Sequence, residues 1–243
     1  MTPAYRETDV ASVLQHLARL AVGTTGAEVE RAVRAARAAA RRSQRPMTVA
    51  DLEAALKDGR PQLIGPLRHR IAVHEVGHAV VAMALNIGTV VSITIDGVHG
   101  GTTTVRPNPD RDQDEAWLND QLTFTMAGRA AELEIIGTVG GGSGAGAASD
   151  LEHATRIAAD MEGRLGFGAV NPFVYLVEDT LRIRLLQDRE FAGRVHSRIN
   201  LAHVRATKII QNRRTVVECI SAQLGSSGTL ERDRIPTISM TSG

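Results

Sequence analysis

"RIAVHEVGHAVVAMAL", residues 70–85, sets two histidines and a glutamate inside a run that is apolar after its first arginine. Ile71, Val73, Val76, Ala79, Val80, Val81, Met83, Ala84 and Leu85 surround them. A helix apolar nearly all round is a buried helix. Unpaired polar groups in such a place cost several kcal/mol, so three together call for a common partner. His74 and His78 stand four apart with Glu75 between them, the pattern H-E-x-x-H. Positions i and i+4 share a helix face, so both imidazoles can meet one ion at about 2.0–2.1 Å. Glu75 is turned about 100° from His74, within reach of a water beside that ion without ligating it. Zinc that lowers the pKa of water and a glutamate that takes its proton form the machinery of hydrolysis. Chance alone supplies roughly 0.015 such patterns in a chain of this composition, so the context has to carry the reading. The competing reading is an internally hydrogen-bonded His/Glu cluster.

A catalytic zinc needs a third protein ligand. In "SDLEHATRIAADMEGRL", 149–165, Ala154, Ile157, Ala158, Met161 and Leu165 define an apolar stripe, and Asp150 falls within it. Asp150 therefore reads equally as an acid aimed at the core or as a helix cap beside Ser149. His153, at the edge of the stripe, is the reserve ligand. Glu132 and Glu134 are candidates to support the ligands from behind. Glu152 and Arg156 fall on the opposite side as an exposed i,i+4 pair. His16, His69, His99, His196 and His203 have no partners at ligand spacing, and of these His99, in a turn close to the H-E-x-x-H helix, is the one worth testing.

The rest of the chain supplies the setting. Its 243 residues suffice for a sizeable core, and with 43% hydrophobic residues but only 3% aromatics that core must be built mainly from Ala, Val, Leu and Ile. Lys plus Arg number 28 against 27 for Asp plus Glu, and the basic run at 31–45 alternates with alanines as a solvated helix face does, so no nucleic-acid partner is expected. The lone Cys219 excludes an intramolecular disulfide and any multi-cysteine metal site. With no apolar run of membrane-span length and no signal-peptide pattern, a soluble, cytoplasmic chain is expected. No G-x-x-x-x-G-K-[ST] occurs, so a complete ATPase is not expected.

Periodicity predicts a helical unit over 1–60, with helices stopping at Gly23, capped by Thr25 and capped by Thr48. A linker is expected at 61–70, then a helix over 71–86 and a β-hairpin pairing "VVSITI" (90–95) with "GTTTV" (101–105). One helix is predicted over 115–136, with "AGRAA" small enough for close approach to a neighbour. After the glycine-rich stretch 137–150 come a helix to 165, a short strand at 173–177, and two helices over 184–224 broken near Asn212. Residues 236–243 read as a flexible tail, and everything after Gly225 as frayed. The expected fold is mainly α with a small β-hairpin or sheet element.

In order, "HEVGHAVVA", "VSITI" with "GGTT", "AGRAAELEIIG", "GAASDLEHATRIA" and "MEGRLGFG" resemble the peptidase domain of the FtsH family of AAA+ zinc proteases, over about 70–235. The resemblance implies zinc (Zn2+) held by His74, His78 and Asp150, with Glu75 as general base. It implies a peptidase domain over 71–235, an unfolded or extended polypeptide substrate, and a homo-oligomer, hexameric in the family. "TTGAEVERAVRAA" and "MTVADLEAAL" resemble more weakly the helical lid that closes the family's ATPase module, whose nucleotide-binding core and membrane anchor have no counterpart in the sequence. The glycine-rich loop is richer in Gly and Ala than the family's usual pattern. The alternative function is a non-catalytic assembly or scaffold module stabilised by zinc; a structural site, however, needs no base and is closed by a fourth protein ligand.

Overall fold

The structure is a computed structural model and describes residues 7–21, 23–58, 65–97, 100–144 and 149–236. It is mainly helical, with one small antiparallel sheet. The first three helices are α1 (Glu7–Leu20), α2 (Gly26–Arg42) and α3 (Val49–Lys57), within the N-terminal stretch read as helical. A capping box starts α2: Thr25 Oγ1 accepts from the Glu28 amide at 3.3 Å, and Glu28 returns the bond to the Thr25 amide at 2.7 Å. At the start of α3 the Thr48 amide and hydroxyl both donate to Asp51 Oδ2, each at 2.8 Å. Ala32, Ala36 and Ala40 turn inward from α2 while Arg31, Arg34, Arg37 and Arg41 stay in solvent. The unit meets the rest of the chain through ions: Arg19 of α1 pairs with Glu231, and Lys57 lies 3.3 Å from Asp96.

The histidine-bearing helix α4 runs over Gly65–Ala84. It thus starts six residues before the expected position, inside the stretch read as linker; of that stretch, 61–64 lie outside the described residues. Pro66 is no obstacle, because a proline in a first turn gives up an amide that would be unpaired anyway. Strands β1 (Gly88–Gly97) and β2 (Gly100–Pro107) form the predicted hairpin. The third strand, β3 (Thr229–Glu231), was not predicted, and it pairs antiparallel with the other edge of β1. Residues after Gly225 are therefore ordered through the end of a helix, this strand and a 3-10 turn at Arg232–Arg234, not frayed. Of the proposed flexible tail, 237–243 lie outside the described residues.

The single helix expected over 115–136 is two, α5 (Glu115–Thr125) and α6 (Ala127–Ile136), interrupted at Met126. Helix α7 spans Asp150–Gly163. The strand expected at 173–177 does not form: Phe173, Val174, Tyr175 and Val177 are exposed in an irregular strap, which pairs with no strand among the described residues. Where two helices are expected over 184–224 there are three: α8 (Glu178–Gln187) begins before the predicted start and stops at Asp188, and α9 (Arg189–Gln211) and α10 (Arg214–Ser227) break near Asn212 as predicted.

Two apolar clusters hold the molecule together. One gathers α4, the sheet, α6, the end of α9 and α10 around Val73, Val76, Val80, Ile93, Ile95, Ile220 and Leu224. The other gathers α5, α7, α8 and α9 around Leu122, Met161, Leu181 and Phe191. Contact between α4 and α6 is very close: a β-carbon at Gly77 would lie 2.6 Å from Ala131 Cβ and 2.7 Å from the Ala127 carbonyl oxygen. The small residues of "AGRAA" and the glycine of "HEVGH" are therefore two halves of one contact. Among the described residues, no helix is long and apolar enough to cross a membrane.

Candidate metal centre

His74 and His78 leave α4 on the side facing α5, α6 and the start of α7, where the two apolar clusters meet. Each ring is held through Nδ1. His78 Nδ1 donates to the Phe124 carbonyl at 2.8 Å, and His74 Nδ1 donates to Glu132 Oε1 at 2.8 Å. The first contact depends on the break at Met126, since carbonyls in the last turn of a helix have no intrahelical donor. A carbonyl can only accept, so His78 carries its proton on Nδ1 and turns an Nε2 lone pair inward; the ionised Glu132 has the same effect on His74. Burial opposes the charge on Glu132, but His74, the Gly140 amide and Arg70 together hold its carboxyl below the usual range.

Ser149 supplies the cap of α7, its Oγ accepting from the Glu152 amide at 3.3 Å, which leaves Asp150 free to turn its carboxylate toward the imidazoles. Asp150 Oδ2 lies 2.9 Å from His74 Nε2 and 3.4 Å from His78 Nε2, and the two Nε2 atoms are 3.2 Å apart. Four ligands arranged tetrahedrally at 2.0–2.1 Å stand about 3.3 Å from one another. Among the described residues, this trio is the one cluster of histidine, cysteine and carboxylate side chains that could hold a metal ion.

Three lone-pair-bearing atoms that converge this closely need a cation between them. In these surroundings even a proton is held tightly: burial disfavours the charged imidazole, but Asp150 and Glu132 outweigh it and push the His74 pKa up to about 10. Its contacts with His74 and His78 drive the Asp150 carboxyl far below its ordinary range against the effect of burial. A divalent ion suits that field better than a proton, because it satisfies all three atoms at once.

Glu75 is buried beside the trio. Burial raises its carboxyl pKa, opposed by the two histidines and by the hydroxyl of Thr103. Thr103 Oγ1, on β2, lies 2.8 Å from Glu75 Oε2 and 2.8 Å from the Glu75 backbone oxygen. Gly128 at the start of α6 is another close approach, since any β-carbon there would overlap the His74 ring.

His74, Glu75, His78 and Asp150, singled out from sequence, thus come together, and Glu132 joins them from behind His74. Glu134 does not; its carboxylate acts instead on His203 of α9. His153 is exposed and accepts from Arg156 at 2.7 Å. His99 lies outside the described residues. Sequence reasoning missed Thr103, Arg70 and the Phe124 carbonyl. A threonine in a strand and an arginine at a helix start look ordinary, and a backbone oxygen leaves no mark in sequence.

Residues 66–238 match the profile described as Peptidase family M41. Over 235 residues the chain is 33% identical to "ATP-dependent zinc metalloprotease FtsH" of Acidothermus cellulolyticus, covering 87% of this chain and 35% of that protein. It is 34% identical over 245 residues to "ATP-dependent zinc metalloprotease FtsH 1" of Symbiobacterium thermophilum, covering 93% of this chain and 38% of that protein. The counterpart from Thermotoga maritima, "ATP-dependent zinc metalloprotease FtsH", is 32% identical, with 93% and 40% covered. The chain therefore spans well under half the length of these relatives.

Proposed function

The chain belongs to peptidase family M41, and from that premise we propose that it is a zinc-dependent endopeptidase cleaving unfolded or extended polypeptide. The observation that carries this reading is the convergence of His74 Nε2, His78 Nε2 and Asp150 Oδ2 beside the buried Glu75. Those three residues would hold the ion, and three protein ligands are the pattern of a catalytic zinc, not of a closed structural one. Bound there, zinc would supply a Lewis acid that polarises the scissile carbonyl and brings the pKa of the attacking water toward about 7. Glu75 takes the proton of that water and passes it to the leaving amine. Thr103 holds Oε2, so Oε1 is the oxygen free to turn toward the proton. Glu132 and the Phe124 carbonyl keep both imidazoles in the tautomer that ligation requires.

Substrate alignment falls to β2, the edge of the sheet order β2-β1-β3, whose outer backbone groups offer an extended chain strand-like hydrogen bonds next to Glu75. The relatives' names describe ATP-dependent enzymes, and the N-terminal unit, α1 to α3, reads as the lid of such an ATPase module. A hexameric ring is the assembly we infer. Its support is apolar surface that water disfavours: Phe173 is 99% exposed, Leu186 88% and Tyr175 68%.

Glu75→Gln tests the chemistry. The variant should bind zinc as the parent does and lose casein cleavage by about 10²–10⁴-fold. Full activity in that variant would sink the reading.

A further inference from the structure

Arg70 lies one helical turn before His74, so the two side chains share a face of α4 and reach the same carboxylate. Glu132 Oε1 accepts from His74 Nδ1 at 2.8 Å, while Oε2 accepts from Arg70 Nη1 at 2.6 Å and from the Gly140 amide at 2.7 Å. Arg70 Nη1 also donates to the Thr138 carbonyl at 2.7 Å, and Nη2 donates to Thr138 Oγ1 at 2.9 Å. The Glu132 side chain is 4% exposed, and that of Arg70, roofing the cluster, 26%. One guanidinium therefore ties together the helix that bears both histidines, the carboxylate that orients His74, and the first residues of the glycine-rich connection that ends at Asp150.

We propose that Arg70 is a positioning residue of the metal centre. Its planar fork fixes Glu132 in the orientation that presents His74 Nε2 to the ion, and it anchors Thr138 and Gly140 so that the connection to Asp150 departs from a defined point. Lysine cannot replace it, because one ammonium group cannot span a carboxylate, a carbonyl and a hydroxyl held by two separate nitrogens. The effect on metal rests on the zinc reading above, whereas the anchoring of Gly140 can be measured without any metal.

The test compares wild type, Arg70→Met and Arg70→Lys, each as the full chain. Zinc affinity is measured by competition with a chromogenic chelator. Exchange of the Gly140 amide and thermal melting are measured on the zinc-free proteins. Arg70→Met should bind zinc 10- to 100-fold more weakly, exchange the Gly140 amide faster, and melt close to wild type when zinc-free. Arg70→Lys should fall between the two in both affinity and exchange. With casein as substrate, the loss in zinc-loaded Arg70→Met should appear in kcat more than in KM. Wild-type affinity and wild-type Gly140 protection in Arg70→Met overturn the proposal. So does Arg70→Lys matching wild type on both, or a fall in zinc-free melting large enough to explain the weaker binding. If Arg70→Met does not fold, the Arg70→Lys comparison decides. A wild-type chain that binds no zinc overturns the metal reading instead, and Gly140 exchange then decides the anchor alone.

Discussion

Thr103 ties Glu75, the base we propose, to the sheet through a single hydroxyl. Its Oγ1 sits 2.8 Å from both Glu75 Oε2 and the Glu75 backbone oxygen, and so fixes the carboxylate to the strand that we propose aligns substrate. A hydrogen bond to a charged group contributes about 1.5–3 kcal/mol. Thr103→Val preserves shape and removes only the hydroxyl, so it should lower kcat on casein about 10- to 100-fold with zinc content unchanged. Unaltered kcat would show that Glu75 needs no such support. Single residues differ in how much of their role shows in the sequence. His74, Glu75 and His78 are legible because i,i+4 spacing on a helix is rigid geometry. Asp150 is legible only as an inward acid or a cap, since both roles fall at the start of a helix; the choice needs Ser149's hydrogen bond to the Glu152 amide. Thr103 and Arg70 owe their roles to partners 28 and 62 residues away, and no local pattern carries that.

Elements built on strong periodicity form where the sequence places them, and those set by their neighbours do not. The capping residues Thr25 and Thr48 begin α2 and α3 as expected, because a cap is a bond between residues three apart. The break between α5 and α6 is not visible in a continuous apolar stripe, although it leaves the Phe124 carbonyl for His78. Strand β3 has three residues, too few for an alternation to register, and exists because β1 has a free edge beside it. Conversely, the β-branched and aromatic residues at 173–177 pair with no strand among the described residues and stay irregular. Leu230, 1% exposed, is the anchor of β3 beneath the sheet. Leu230→Ala should therefore destabilise the protein by about 2–5 kcal/mol in urea unfolding. A cost near zero would mean that the C-terminal strand is only loosely attached.

At the scale of the molecule, the candidate metal centre sits on the boundary between two apolar clusters, with His74 and His78 on α4 in one and Asp150 at the head of α7 in the other. An ion held across that boundary stabilises the folded chain by mass action, about 4 kcal/mol at a thousandfold excess over Kd. For a domain of this size that is a rise in Tm on the order of 10 °C. Adding zinc to chelator-treated wild type should give such a rise in calorimetry, and Asp150→Asn should lose most of it; an equal rise in both would place the ion elsewhere. By itself, the sequence determined the helical class, the hairpin, the N-terminal unit's helices and the H-E-x-x-H face, because periods, caps and i,i+4 spacings are properties of short segments. Tertiary structure alone decided that Asp150 meets the two histidines, that Thr103 reaches Glu75, and that Arg70 and Glu132 bind one glycine-rich connection to α4. Those contacts join residues far apart in the chain, and only the packing of α4 against α6 and α7 brings them within hydrogen-bond distance.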